Sequence, residues 1–301
     1  MLKLLTILFA FYTQYKYSSD FVLLLEDPVN MALGGDHTVS MWSVSSPYWN
    51  PAGISEKTIG ISHFSYYENF IGLENAGVSG IKSGNYMLSL FVSYLHSKPV
   101  ELTELVDTAL GATEGNIKVV SKERLLSFSI YGGVKRDVNH KLSVGITFHY
   151  SLQNLPDYNL NDAGIDGGLV YTLSSKIILG GKISNIIASR FENGNREILR
   201  PFMNITMLTH NDKLKYYFTA SLEYDGEKDY SFFTYHDMSI HASMGMEYWL
   251  SHKIAIRAGT GRYGMALGAG LNLHRLHVDY AIRPFNNAGI THKLALSYRI
   301  E

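Results

Sequence analysis

The chain has 301 residues, with 26 Lys and Arg against 27 Asp and Glu, a formal net charge of −1 at pH 7, and no cysteine. That balance offers no basic stripe for nucleic acid, and the missing thiols exclude a lipid-anchoring cysteine and a Cys-ligated metal centre. The length allows one large barrel or two soluble domains; aromatic girdles and glycine-rich strands would account for its 21 Tyr, 14 Phe and 27 Gly.

The chain opens Met1-Leu2-Lys3, continues with an apolar run from Leu4 to Phe11, and turns polar up to Ser19. A basic start, a short apolar core and a polar tail predict an export signal over residues 1–19, cut near Ser18 or Ser19 although no Ala-x-Ala site is present. No stretch of eighteen consecutive apolar residues follows, so no helical membrane span is expected. Residues 20–57 do not alternate. Asp27-Pro28-Val29-Asn30-Met31-Ala32-Leu33-Gly34-Gly35 and Ser46-Pro47-Tyr48-Trp49-Asn50-Pro51-Ala52-Gly53-Ile54 carry Pro and Gly punctuation that makes tight turns rather than strands.

From residue 58 the pattern changes to period-two alternation. Strands are predicted near 58–67, 73–82, 85–95, 124–135, 141–151, 163–172, 176–187, 199–209, 214–224, 238–249, 254–262, 264–273, 276–284 and 290–300, about fourteen. An even number places both ends on one side of a barrel. Three turns end in Lys: Val138-Asn139-His140-Lys141-Leu142, Leu173-Ser174-Ser175-Lys176-Ile177 and Leu250-Ser251-His252-Lys253-Ile254. The opposite connections are longer and irregular: 153–162, 188–197 and 225–237. Outer-membrane barrels have this two-sided character, with short periplasmic turns and long outer loops.

Register sorts the faces. Centring the first turn on Val138 pairs Val134 with Leu142, Ile130 with Ile146 and Phe128 with Phe148, and leaves Ser143, Thr147 and His149 on the other face. A two-residue turn at His274-Arg275 aligns Leu271 and Leu273 with Leu276, Val278 and Tyr280, with Asn272, His277 and Asp279 opposed. A soluble β-sandwich also hides one face. These runs, however, reach about ten residues, as a tilted membrane strand requires, whereas sandwich strands average roughly six. The expected fold is therefore all-β, a transmembrane antiparallel barrel over residues 58–301. One insertion, Lys98 to Lys122, contains Glu101-Leu102-Thr103-Glu104-Leu105-Val106-Asp107 and predicts a short amphipathic helix in an outer loop.

No catalytic signature stands out. There is no Gly-x-Ser-x-Gly elbow and no His-Glu-x-x-His helix. Gly259-Thr260-Gly261-Arg262-Tyr263-Gly264 matches a phosphate-loop spacing, but no helix follows it, so it reads as a glycine-rich outer hairpin. The twelve histidines are scattered, and neither a metal nor a cofactor is expected. Lys182, Glu223, Glu247, Arg257, Asp279, Arg283 and Arg299 should face the lumen, where they form either a polar pathway or neighbouring salt bridges in a wet interior.

The Ala32-Leu33-Gly34-Gly35 segment, Tyr48-Trp49-Asn50-Pro51-Ala52-Gly53, and the end Val278-Asp279-Tyr280-Ala281-Ile282 with Ala288-Gly289-Ile290-Thr291-His292-Lys293-Leu294 resemble the PorV/PorQ proteins, which belong with the FadL-type fatty-acid channels. The end Ile300-Glu301 departs from the terminal aromatic common in outer-membrane barrels. The resemblance implies fourteen strands and an N-terminal segment, residues 20–57, folded into the lumen as a plug. A barrel of this size encloses more volume than its own side chains fill. Tyr48 and Trp49 would wedge against the wall, and Asn50 before Pro51 sets an extended bend; alternatively Asn50 to Gly53 starts the first strand.

The resemblance also implies a non-enzymatic role in protein export or surface attachment in the bacterial outer membrane. The alternative is a passive FadL-like channel for hydrophobic small molecules. The expected partners are outer-membrane lipids, secreted cargo or secretion machinery, or hydrophobic small molecules, and no nucleic acid.

Overall fold

A computed structural model describes residues 27–39, 43–66, 69–105, 117–154, 159–192, 195–224, 233–235, 238–285 and 289–300. The expected export signal, residues 1–19, lies outside them. Fourteen antiparallel strands form one closed barrel. In chain order they are β1 (Thr58–Tyr66), β2 (Ile71–Ser83), β3 (Tyr86–Ser97), β4 (Leu126–Asp137), β5 (Leu142–Asn154), β6 (Asn159–Ser174), β7 (Ile177–Glu192), β8 (Phe202–His210), β9 (Leu214–Tyr224), β10 (Met238–Ser251), β11 (Ile254–Gly261), β12 (Gly264–Leu273), β13 (Leu276–Phe285) and β14 (Gly289–Arg299). Each pairs with its sequence neighbours, and β14 closes on β1 from Thr58↔Arg299 to Ser65↔His292. Closure leaves no unpaired sheet edge, which is what lets a sheet stand in hydrocarbon.

Alternation decides which side chains meet lipid. On β5, Val144, Ile146, Phe148, Tyr150 and Leu152 point outward and are exposed, while Gly145, Thr147, His149, Ser151 and Gln153 are buried. A β-strand sends successive side chains to opposite faces, so the polar set must line the lumen. Phe148 at 57% exposure and Met244 at 55% would be costly in water; facing lipid, they form the apolar band of a membrane barrel. The chain folds as a transmembrane antiparallel β-barrel.

The Lys-ended turns share one mechanism. Two residues before the lysine, a short polar side chain accepts the lysine's backbone N–H: Asn139 from Lys141 at 2.8 Å, Asn211 from Lys213 at 3.1 Å, Ser174 from Lys176 at 3.3 Å and Ser251 from Lys253 at 3.2 Å. Such local capping reverses the chain in few residues.

It also corrects the first register. Asn139 accepts from Leu142 N–H as well, so the turn is centred near residue 140 and not on Val138. Val134 pairs with Ile146, Ile130 with Tyr150, and Phe128 with Leu152. The shift is an even number of residues, so every side chain keeps its expected face. At the other hairpin, Leu273 pairs with Leu276 and Leu271 with Val278, with His274 at φ 61° in the turn.

Two further expectations need correction. Residues 101–105 are not helical: Val100–Leu105 pairs with Ile117–Glu123 in a separate two-stranded hairpin, closed by a Lys122–Glu101 ion pair of 2.7 Å. The run of Ile117, Val119 and Val120 on the facing strand favours extended backbone over the weak amphipathic spacing of Glu101 to Asp107. The outer connections are also shorter than their polarity suggested, since β5 continues to Asn154, β6 begins at Asn159, and Asn195–Ile198 folds back on β7. These strands outrun the apolar band, so polar residues continue the ladder.

Candidate functional site

Before β1 the chain forms two helical turns, α1 (Pro28–Ala32) and α2 (Ser46–Trp49), and a 3-10 turn, Pro51–Gly53. Pro stands at the start of each, where its missing N–H costs nothing. Asp27 caps α1, its Oδ1 accepting from Asn30 N–H at 2.8 Å and its Oδ2 from the Ser45 hydroxyl at 3.0 Å, so one carboxyl ties the two helical turns together. Burial pushes the Asp27 carboxyl above the ordinary aspartate range, against the pull of the Asn30 and Ser45 donors. Asn50 has extended backbone and accepts from Ala52 N–H at 3.0 Å, which starts the 3-10 turn.

Nearly every described residue of this segment is buried, and its contacts reach around the ring. α1 packs on β11 to β14, while the 3-10 turn packs on β4, β5 and β6. Met31 and Ala32 form an apolar cluster with Ala266 and Ala281; Val44, Tyr48 and Trp49 join Phe64, Phe91 and Tyr131. The Tyr48 ring meets Tyr131 edge-on at 5.4 Å, a geometry the aromatic quadrupoles favour.

Two kinds of feature seat it. The first is steric. A methyl group built on Gly245 or Gly259 would overlap the backbone of Leu33; one on Gly180 would overlap Thr38; one on Gly145 or Gly168 would overlap Pro51 or Asn50. These glycines let backbone approach the wall. The second is polar. Thr147 donates to Pro47 C=O at 2.6 Å, Lys182 donates to Tyr48 C=O, Asn50 Nδ2 donates to Leu169 C=O at 3.0 Å, and Arg283 donates to Met31 C=O at 3.2 Å. His37, fully buried, bridges Leu33 C=O and the Thr219 hydroxyl at 2.7 Å each; Thr219 contacts Thr206, which accepts from Thr38 N–H at 2.9 Å.

The seven charges expected in the lumen do not form one continuous array. Lys182 pairs with Asp166 at 3.0 Å and lies 4.9 Å from the Tyr48 ring centroid. Arg257 links Glu247 at 2.6 Å and Asp279 at 2.7 Å, and Lys215 joins Glu247 at 2.7 Å; Glu223 pairs with Arg262 at 2.7 Å. Arg299 stands apart at the rim, paired with Glu56 and about a third exposed. Lys182 and Arg283 reach the segment through Tyr48 and Met31 C=O, and Arg299 through its ion pair with Glu56. Sequence reasoning did not single out Asp166, Lys215, His37, Thr206 or Thr219, nor the glycines that the segment rests on. Inward-facing glycines on neighbouring strands are a usable signal, because a strand glycine marks close approach of another backbone.

A cavity of about 110 Å³ lies at the short-turn end between the segment and β9 to β14. Pro28, Val29, Tyr217 and Trp249 supply apolar wall, and Asp27, Glu247, Arg257 and Asp279 supply polar groups. Among the described residues, no group of three or more His, Asp or Glu is placed to hold a metal ion.

No protein-family model and no curated protein sequence matches the chain. Solved structures do. The chain is similar in fold to the CymD monoaromatic hydrocarbon channel (TM-score 0.60, 11% identity, 91% of this chain and 97% of that one). It is similar to the toluene transporter TodX of Pseudomonas putida (TM-score 0.58, 11% identity, 90% and 96%) and to a FadL homologue of Pseudomonas aeruginosa (TM-score 0.54, 10% identity, 91% and 98%). At these identities the likeness is one of fold, the FadL-type outer-membrane barrel. None of these structures bears on the PorV/PorQ part of the resemblance or on secretion.

Proposed function

We propose that this protein is a passive, non-enzymatic outer-membrane channel for hydrophobic small molecules, with the N-terminal segment acting as a plug in the lumen. The observation that carries the reading is the segment itself: buried, braced on opposite walls, and bordered by a cavity with aromatic and aliphatic lining. Apolar lining with a few convergent polar groups suits a small-molecule path. The shared fold supports the same reading, since CymD and TodX are a monoaromatic hydrocarbon channel and a toluene transporter.

The test compares wild type with a variant lacking residues 27–55. The barrel keeps its own ladder, so the variant should retain heat-modifiable mobility while its planar-bilayer conductance rises, and wild-type proteoliposomes should take up toluene faster than empty ones. Unchanged low conductance in a folded variant would sink the plug; no uptake above empty liposomes would sink the channel.

A second reading, accessory to protein export, draws on the ordered hairpin of Val100–Leu105 and Ile117–Glu123 standing beyond the barrel. Co-purification of an exported protein that is lost on deleting residues 100–123 would favour it.

A further inference from the structure

The two ends of the barrel differ in charge. The connections at the short-turn end, residues 84–85, 138–141, 175–176, 211–213, 252–253 and 274–275, carry four Lys and one Arg against one acid. At the other end, the connections together carry twelve Asp and Glu against eight Lys and Arg. Lys82, Lys141, Lys176, Lys213 and Lys253 are all exposed, and among the described residues none of them has an ion-pair partner. The capping that shapes the Lys-ended turns uses backbone N–H groups alone, so turn geometry does not call for an ammonium there. A neutral residue would close the same turns.

Just inside this rim, Tyr86, Tyr171, Tyr216 and Tyr298 point outward and are exposed. Outward aromatics at the end of the apolar band mark the depth of the lipid headgroups, which puts the turn lysines beyond them, level with headgroup phosphates. One place on the ring is more built than the rest. Lys82, Tyr86, Lys135 and Arg136 line a cleft of about 330 Å³. Lys135 is paired with Asp137 at 3.1 Å, and the Arg136 guanidinium lies 5.9 Å from the Tyr86 ring centroid. Among the described residues Lys82 and Arg136 have no ion-pair partner. Tyr86 and Arg136 are cross-strand partners on the side facing lipid, whereas Lys82 pairs with Met87 on the opposite face at the very edge of the rim.

We propose that the short-turn rim binds anionic phospholipid headgroups through its ring of exposed lysines, with the phosphate of one lipid seated at Arg136 beside Tyr86. Lys and Arg at a membrane surface are drawn to anionic lipid, an attraction that falls off within a Debye length. The girdle argues for lipid over a soluble anionic partner, because cation and aromatic sit together at interfacial depth. The ring would fix how deep and how upright the barrel stands, independently of what passes through it.

The experiment uses the full chain in nanodiscs of phosphatidylcholine with a minority of phosphatidylglycerol, counting co-retained lipids by native mass spectrometry at low salt. Wild type should retain phosphatidylglycerol over phosphatidylcholine by roughly tenfold. The preference should fall several-fold in the R136Q variant and approach unity when Lys82, Lys141, Lys176, Lys213 and Lys253 are also changed to Gln, with heat-modifiable mobility and toluene uptake unchanged. Equal retention of the two lipids by wild type would overturn the proposal. So would a preference abolished by inorganic phosphate at low concentration, which indicates a generic anion site, or a rim that binds purified peptidoglycan in place of lipid.

Discussion

Two arcs of the wall receive the N-terminal segment by close packing on glycines, and one of them adds a buried ion pair. Along β10 and β11 the contact is one of shape: Leu33 and Gly34 lie against Gly245 and Gly259, where no side chain could be added without moving backbone. Along β5 to β7 Gly145, Gly168 and Gly180 give the same close approach, and Thr147, Lys182 and the Asp166 carboxylate behind it add hydrogen bonds and charge. Close-packed backbone specifies position and is insensitive to ionic strength. A buried ion pair is brittle, because removing one member leaves the other charged and desolvated.

The largest effect should come from the charged arc. Lys182→Met strips Asp166 of its cation while both positions remain buried, which should destabilise the protein by about 3–5 kcal/mol. Adding Asp166→Asn removes the stranded charge and should recover much of that loss in a thermal shift of heat-modifiable mobility. Equal losses in the single and the double variant would show that the pair contributes little and that shape dominates on both sides.

The steric arc should give a smaller, more local effect. Gly259→Val puts a side chain where the Leu33 backbone lies, and overpacking of this kind costs about 1–3 kcal/mol. The segment can yield where the ladder cannot, so the strain should appear as raised conductance with barrel stability nearly intact, and the rise should persist in high salt. Conductance equal to wild type would mean that the close approach at Gly259 does not hold the segment in place.

The same contrast explains what could be read from the chain. The wall was legible because one rule, outward apolar and inward polar, repeats along fourteen strands, and an error in one turn, at Val138, slipped by an even number of residues and changed no face. The same rule sets the expectation that the seven charges face inward, but their partners were not legible, because pairing depends on which strands lie side by side and at what stagger: Lys182 meets Asp166 across β7 and β6, and Arg257 meets both Glu247 and Asp279 only once β10, β11 and β13 are placed. His37 gives no local sign that it will bridge Leu33 and Thr219, since that contact spans 182 residues. The outer hairpin misled because Glu101 to Asp107 has a helical spacing by itself, and its extended partner, Ile117–Glu123, lies beyond any local window.

The smallest effect separates the two helical turns from the wall they rest on. Asp27 caps α1 and accepts from Ser45, so its carboxyl links the part of the segment on the steric arc to the part on the charged arc. Burial raises its affinity for a proton, with Asp279 adding repulsion. An acid whose folded-state pKa lies above its unfolded value stabilises the fold below the unfolded pKa, and that contribution is lost as pH rises through the folded one. The joint between the turns should therefore loosen as the medium becomes less acidic, while Asp27→Asn keeps an acceptor for Asn30 N–H and removes the titration. Wild-type conductance measured from about pH 4 to about pH 8 should climb by no more than a few fold, and that of Asp27→Asn should stay flat. Parallel curves for the two proteins would place the pH dependence elsewhere and leave Asp27 as a cap alone.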